Sequence, residues 1–101
     1  MAYKLRFVQS FDKGNAGAFL RLEQTFIELE KRDPKMACGK RYVSVMGKEP
    51  TNTMIWEAEF ETMEAAVENL KAIENSTAHD ELLREQIGYM RDAHIELYKE
   101  L

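Results

Sequence analysis

Hydrophobic and polar residues alternate along this chain with two periods, and each change of period marks the edge of an element. From Tyr3 to Phe11 the period is two. Tyr3, Leu5, Phe7, Gln9 and Phe11 fall on one side, Lys4, Arg6, Val8 and Ser10 on the other, as in a half-buried strand. Asp12-Lys13-Gly14-Asn15 is a run of turn residues, with Asn15 placed to cap a helix. From Ala16 to about Lys31 the period becomes helical. Phe19, Leu20, Leu22, Phe26, Ile27 and Leu29 form the apolar stripe, and Arg21, Glu23, Gln24, Glu28 and Lys31 lie mostly outside it. Asp33-Pro34 stops this helix, because a residue before proline is pushed out of helical geometry.

A loop with Met36, Cys38 and Gly39 leads to a second alternating run, Lys40 to Met46, with Val43 and Val45 on one side and Tyr42, Ser44 and Met46 on the other. The polar stretch Gly47 to Asn52 joins it to a third run, Thr53 to Glu61. There Met54, Trp56, Ala58 and Phe60 oppose Ile55, Glu57, Glu59 and Glu61. Strands this close in sequence pair as an antiparallel hairpin. Thr62 then caps a second helix whose stripe is Met63, Ala66, Val67, Leu70 and Ile73. Asn75-Ser76-Thr77 breaks it, Asp80 to about Ile87 predicts a short further helix ended by Gly88, and Asp92 to Lys99 alternates as a last strand.

The order strand, helix, strand, strand, helix, strand predicts an α+β fold, a single ferredoxin-like βαββαβ sandwich over residues 1–101. Right-handed crossovers give a four-stranded antiparallel sheet of spatial order 4-1-3-2 with the helices on one face. Leu5, Phe7, Val43, Val45, Met54, Trp56, Phe60, Ile95 and Leu97 are the residues assigned to that helix-covered face. The bare face is left with Lys4, Arg6, Val8, Tyr42, Ser44, Met46, Ile55, Glu57, Glu59, His94, Glu96 and Tyr98. It is too apolar for an ordinary solvent face and too charged for a dry core. The strand order sets Arg6 between Glu96 or His94 on one flank and Glu57 or Glu59 on the other, a cross-strand compensation of charge. A two-fold homodimer, closed through these bare faces, is the expected assembly.

The opening YKLRFVQSF, the unit TNTMIWEAEFETMEAAVENL and the closing YMRDAHIELYKEL resemble the dimeric α/β-barrel superfamily, which includes antibiotic-biosynthesis-monooxygenase-like and NIPSNAP-like proteins. The resemblance covers nearly the whole chain as a pattern of elements, with no active-site signature that selects one member. It implies a small-molecule cavity between sheet and helices or near the barrel mouth. It also implies a role among cofactor-free monooxygenases, isomerases, polyketide cyclases, haem enzymes or non-catalytic relatives.

Composition narrows the classes. With 14 basic residues against 18 acidic, and a net charge of -4, the chain lacks the positive surface that nucleic acid requires. No apolar run is long enough for a membrane span, and MAYKLRF has no apolar signal region. One cysteine, Cys38, excludes an internal disulfide and fits a cytoplasmic setting. Glycine-rich phosphate loops and serine-centred nucleophile elbows are absent.

Among the candidate chemistry, His94 stands two residues from Glu96 on one strand face. With Tyr42 or Tyr98 it would form a general base and proton donor for enolisation, cyclisation or isomerisation. Structural hydrogen bonding at an interface is the competing role. Arg6, Glu57 and Glu96 are the charged candidates for substrate contact. Trp56, with Phe26, Met36, Met54 and Met63, would enclose an aromatic or polyketide-like molecule or simply fill the core. His79 reads as a surface turn histidine and Cys38 as a bystander beside Lys40 and Arg41. The cations around Lys31-Arg32 read as partners of a helix end. No metal-ligand spacing is present and no cofactor is expected; haem would have only His94 as axial ligand. Two function classes remain, a cofactor-independent monooxygenase-like enzyme and a non-catalytic small-molecule-binding or stress-response dimer, separated by whether the core holds a cavity.

Overall fold

A computed structural model describes residues 2–101. Strand β1 runs Tyr3–Phe11, helix α1 Ala16–Arg32, β2 Lys40–Val43, β3 Thr53–Phe60, α2 Met63–Glu74, α3 Thr77–Ile87 and β4 Met90–Lys99. The four strands form one antiparallel sheet in the order β2-β3-β1-β4, the order that two right-handed split βαβ units impose. Arg6 pairs with Glu57 on one side and Glu96 on the other, which is the charge alternation the strand order implies.

The core sits where the apolar phase of β1 and β3 meets the stripe of α1. Leu5 and Phe19 are fully buried, Met54 and Trp56 nearly so. Phe11 and Phe19 stack at 4.8 Å between ring centroids and Phe7 and Trp56 at 4.7 Å, spacings at which aromatic pairs add roughly 0.5–1.5 kcal/mol beyond their burial. On the opposite face Val8 is also buried, flanked by its strand partners Ile55 and His94.

Several local expectations shift. β2 ends at Val43, and Val45 and Met46 stand almost fully exposed in the next loop, so neither packs on the sheet. Beyond Ser44, which bonds back to Thr53 and Glu49, the chain turns away at Gly47, whose φ of 147° is open to glycine but not to most residues. Asn15 makes no capping bond; Asp12 instead accepts from the Gly14 amide and opens a 3-10 turn over Lys13–Asn15. α3 starts at Thr77 because the Ser76 hydroxyl accepts from the His79 amide at 3.1 Å. β4 begins at Met90, two residues early, and its register with β1 shifts between Ser10 and Phe11. Thr62 caps α2 as its sequence suggests, accepting from Ala65 at 3.1 Å.

The helix layer is also less dry and less complete than the periodicity implies. Glu23, Asn69 and Gln86 are buried within it. Ile95 and Leu97, assigned to the core, remain 60% and 38% exposed, since β4 is an edge strand that α3 covers only in part. No described helix is long and apolar enough to cross a membrane.

Candidate functional site

A cavity of about 360 Å³ lies between the sheet and the three helices, within the size range of small-molecule pockets. Phe7 and Trp56 form part of its sheet side and Phe26 of α1 faces them. Met36 and Ala37 belong to the loop before β2, and Leu83 and Ile87 to α3. The wall is therefore mostly apolar and aromatic, with its charged carboxylates gathered around one arginine.

That arginine is Arg41, which stands opposite Trp56 in the sheet and reaches under α1. Its Nε donates to Glu23 Oε1 at 2.9 Å, and its two terminal nitrogens donate to the two oxygens of Glu30. Trp56 Nε1 donates to Glu30 Oε1 at 3.1 Å and the Gly39 amide to the same oxygen at 3.2 Å. Gln86 Nε2 donates to Glu23 Oε2 at 2.6 Å. Burial opposes the charge on Arg41, but the hydrogen bonds to Glu30 and then Glu23 outweigh it and hold its pKa above the usual arginine value. The arrangement rests on loop geometry too. Asn69 Oδ1 accepts from the Ala37 amide at 2.8 Å, and Gly39 lies so close to the indole that any side chain there would collide with Trp56.

His79 lies on the same wall. It is half-buried in the first turn of α3, its ring tilted against Phe26 at 4.8 Å. It is therefore not a surface turn residue: the Ser76 cap extends α3 backward and turns this side chain inward. Burial lowers its pKa below the ordinary histidine value, against the opposing pull of Glu30 and Asp80. A neutral imidazole beside an apolar cavity can accept a proton from a bound ligand. Arg41 likewise is no helix-end partner but the centre of a buried ion-pair web.

The other site residues singled out by sequence fall on two sides of the sheet. Trp56 lines the cavity. His94 adjoins the cavity wall beside Ala93 and Ile95, but its ring Nε2 lies 2.9 Å from Glu96 Oε2 on the bare face. Tyr98 donates to Glu96 Oε1 at 2.9 Å, and Arg6 lies over the Tyr98 ring at 5.3 Å while its Nε donates to Glu57 at 2.8 Å. The bonds from Tyr98 and then His94 lower the Glu96 pKa, and the bond to Glu96 raises that of Tyr98. His94, Glu96, Tyr98, Arg6 and Glu57 thus form one connected surface group. Tyr42 stands on β2 opposite Ile55, half exposed, with β3 and β1 between it and the β4 residues.

Glu23, Glu30, Arg41, His79 and Gln86 are not legible as site residues in the sequence, although one signal exists. Phe19, Glu23, Phe26 and Glu30 recur at spacings of four, three and four, which places both carboxylates inside the buried stripe of α1 rather than beside it.

This geometry belongs to a known fold, that of the antibiotic-biosynthesis-monooxygenase-like and NIPSNAP-like proteins. A NIPSNAP family protein from Agrobacterium tumefaciens superposes with a TM-score of 0.81 at 9% identity, over 100% of this chain and 94% of that one. A crystal structure of an antibiotic biosynthesis monooxygenase matches with a TM-score of 0.75 at 12% identity, over 98% of each chain. An Arabidopsis thaliana protein matches at 0.71 with 22% identity, over 98% of this chain and 95% of that one. By sequence, the chain matches no family model and no curated protein.

Proposed function

We propose that this protein binds a small aromatic or polyketide-like molecule in the cavity under α1 and α3, and acts on it as a cofactor-independent monooxygenase-like enzyme with His79 as general base. The observation that carries this reading is the half-buried His79, its ring against Phe26, on the wall of a mostly apolar cavity of about 360 Å³. The aromatic Phe7, Phe26 and Trp56 are matched to a flat ring. Passing the proton of a ring hydroxyl to His79 leaves an electron-rich anion, and the anion of a quinol-like ring can give an electron to dioxygen without a cofactor; the ring itself then supplies the two electrons that take the second oxygen atom to water. The likeness of fold to a protein described as an antibiotic biosynthesis monooxygenase points the same way.

The test is a thermal-shift screen of quinols, phenols and polyketide-like aromatics, followed by dioxygen uptake with each binder. Binding retained and uptake lost in His79→Gln supports the enzyme. Binding without uptake in the unaltered protein favours the non-catalytic small-molecule-binding alternative.

A second reading rests on the hydrogen-bonded chain His94–Glu96–Tyr98. Two copies joined through their bare sheet faces as a homodimer would enclose this chain with Arg6 and Glu57 beside it, and make His94 a base and Tyr98, or a Tyr42 brought up from the other sheet, a proton donor. Chemistry lost in His94→Gln but kept in His79→Gln would select it. Sedimentation at micromolar concentration reads the assembly directly, and a lone 11.8 kDa species would sink both the homodimer and this second reading.

A further inference from the structure

The cavity has a charge character that its apolar lining conceals. Two carboxylates, Glu23 and Glu30, stand on its wall against one guanidinium, Arg41, and no lysine or second arginine lines it. The formal balance is one negative charge, held where the side chains of Glu23, Glu30 and Arg41 are only 8%, 11% and 14% exposed. Such a charge is felt more strongly than on the surface, because the surrounding medium screens it less.

Hydrogen bonding adds acceptors beside that charge. Several of the wall's donors are committed: Trp56 Nε1 and the Gly39 amide to Glu30, Gln86 Nε2 to Glu23 and to the Phe19 carbonyl. Donors on Gln9, Arg41 and His79 stay open, so the charge and not the count of hydrogen bonds sets the preference. Glu23 accepts one bond at each oxygen and retains lone pairs. Gln86, itself 1% exposed, has its Oε1 without a partner. A neutral His79 adds an accepting ring nitrogen.

We infer that this cavity selects its ligand by a hydrogen-donating or cationic head group on an aromatic body, and discriminates against carboxylates of the same skeleton. This rests on the proposed reading of the cavity as the ligand site. A protonated amine gains both the charge and the free acceptors; a hydroxyl gains the acceptors alone. A carboxylate arrives already charged and meets the excess negative charge of the wall, a cost that a neutral hydroxyl escapes. The preference therefore runs from arylalkylamine through aryl alcohol or phenol to aryl carboxylate.

Three probes of matched size test the order: 2-phenylethylamine, 2-phenylethanol and phenylacetate, each titrated by protein-observed NMR at pH 7.5. The expected result is amine tighter than alcohol and alcohol tighter than carboxylate, with about tenfold or more between the ends, the ratio that a difference of about 1.4 kcal/mol produces. Shifts should map to Phe26, Trp56 and Leu83. Glu23→Gln removes the excess charge while its amide can still accept from Arg41 and donate to a flipped Gln86; it should compress the span between amine and carboxylate at least threefold. Should that variant fail to fold, the ranking on the unaltered protein decides by itself. Ala93→Trp, which fills the mouth beside β4, separates the two levels of the reading. Equal affinities for all three probes, lost together in Ala93→Trp, would overturn the charge selection and leave the cavity as the ligand site. Probes that bind nowhere near these residues, or are indifferent to Ala93→Trp, would overturn both.

Discussion

The sheet carries two arginines in similar company on its two faces. Arg41 on the helix side bonds Glu23 and Glu30 and is 14% exposed; Arg6 on the bare side bonds Glu57, neighbours Glu96, and is 35% exposed. Their chemistry is nearly the same, but their energetic roles differ. Under the helices each charge has been taken from water, so the partners hold one another in place and removing one strands the rest. On the bare face water still reaches the group, screening the pairs, and such pairs contribute about 0–1 kcal/mol. The buried group therefore shapes a cavity, while the open one stays in contact with water.

Breaking the buried side should produce the largest effect. Arg41→Met leaves Glu23 and Glu30 without their cation and should cost about 3–5 kcal/mol in chemical denaturation; a loss below about 1 kcal/mol would mean that water reaches these carboxylates freely. Gly39→Ala comes next. Its β-carbon runs into the Trp56 indole, so the ring or the loop must move, costing roughly 1–3 kcal/mol, and near-ultraviolet circular dichroism should report a displaced tryptophan.

The bare side should respond more weakly. Arg6→Met, measured at a dilution where the chain is monomeric, should cost no more than about 1 kcal/mol. A cost equal to that of Arg41→Met would show the face to be as desolvated as the cavity. In the proposed homodimer the same substitution should weaken association, read as a shift of the monomer–dimer midpoint in sedimentation.

The smallest effect is one of pH. Burial lowers the His79 pKa in the folded state, so below the ordinary histidine value of about 6.5 the unfolded chain binds the proton more readily. The stability this provides is complete above that pH and is lost as pH falls through the folded pKa. His79→Gln should flatten this limb of a stability–pH profile measured by chemical denaturation.

These faces also differ in how far the chain reveals them. The bare face is visible residue by residue, because strict alternation along β1, β3 and β4 assigns Arg6, Glu57, Glu96 and Tyr98 to one side and the strand order sets them abreast. The cavity is not. Period counting treats a charged residue as outward-facing, so Glu23 reads as the polar flank of α1, Glu30 draws no notice, and His79 lies in a stretch that reads as a turn. The Ser76 cap, which decides where α3 begins, is a single hydroxyl bond that leaves little trace in hydropathy. Val45 misleads for the opposite reason: its alternation is strand-like, but the loop to β3 leaves it no partner.

The chain by itself determined the order of the elements, the antiparallel sheet and the two sides of each strand. Those arise from local periods, capping residues and the handedness of crossovers, all properties of neighbours in sequence. Only the tertiary structure decided that a cavity remains under the helices and that Arg41, from a four-residue edge strand, neutralises part of α1. Residues 18 and 11 positions apart, and 63 in the case of Gln86 and Glu23, meet there because buried charges are tolerated only where distant segments bring compensating partners, a condition no local pattern encodes.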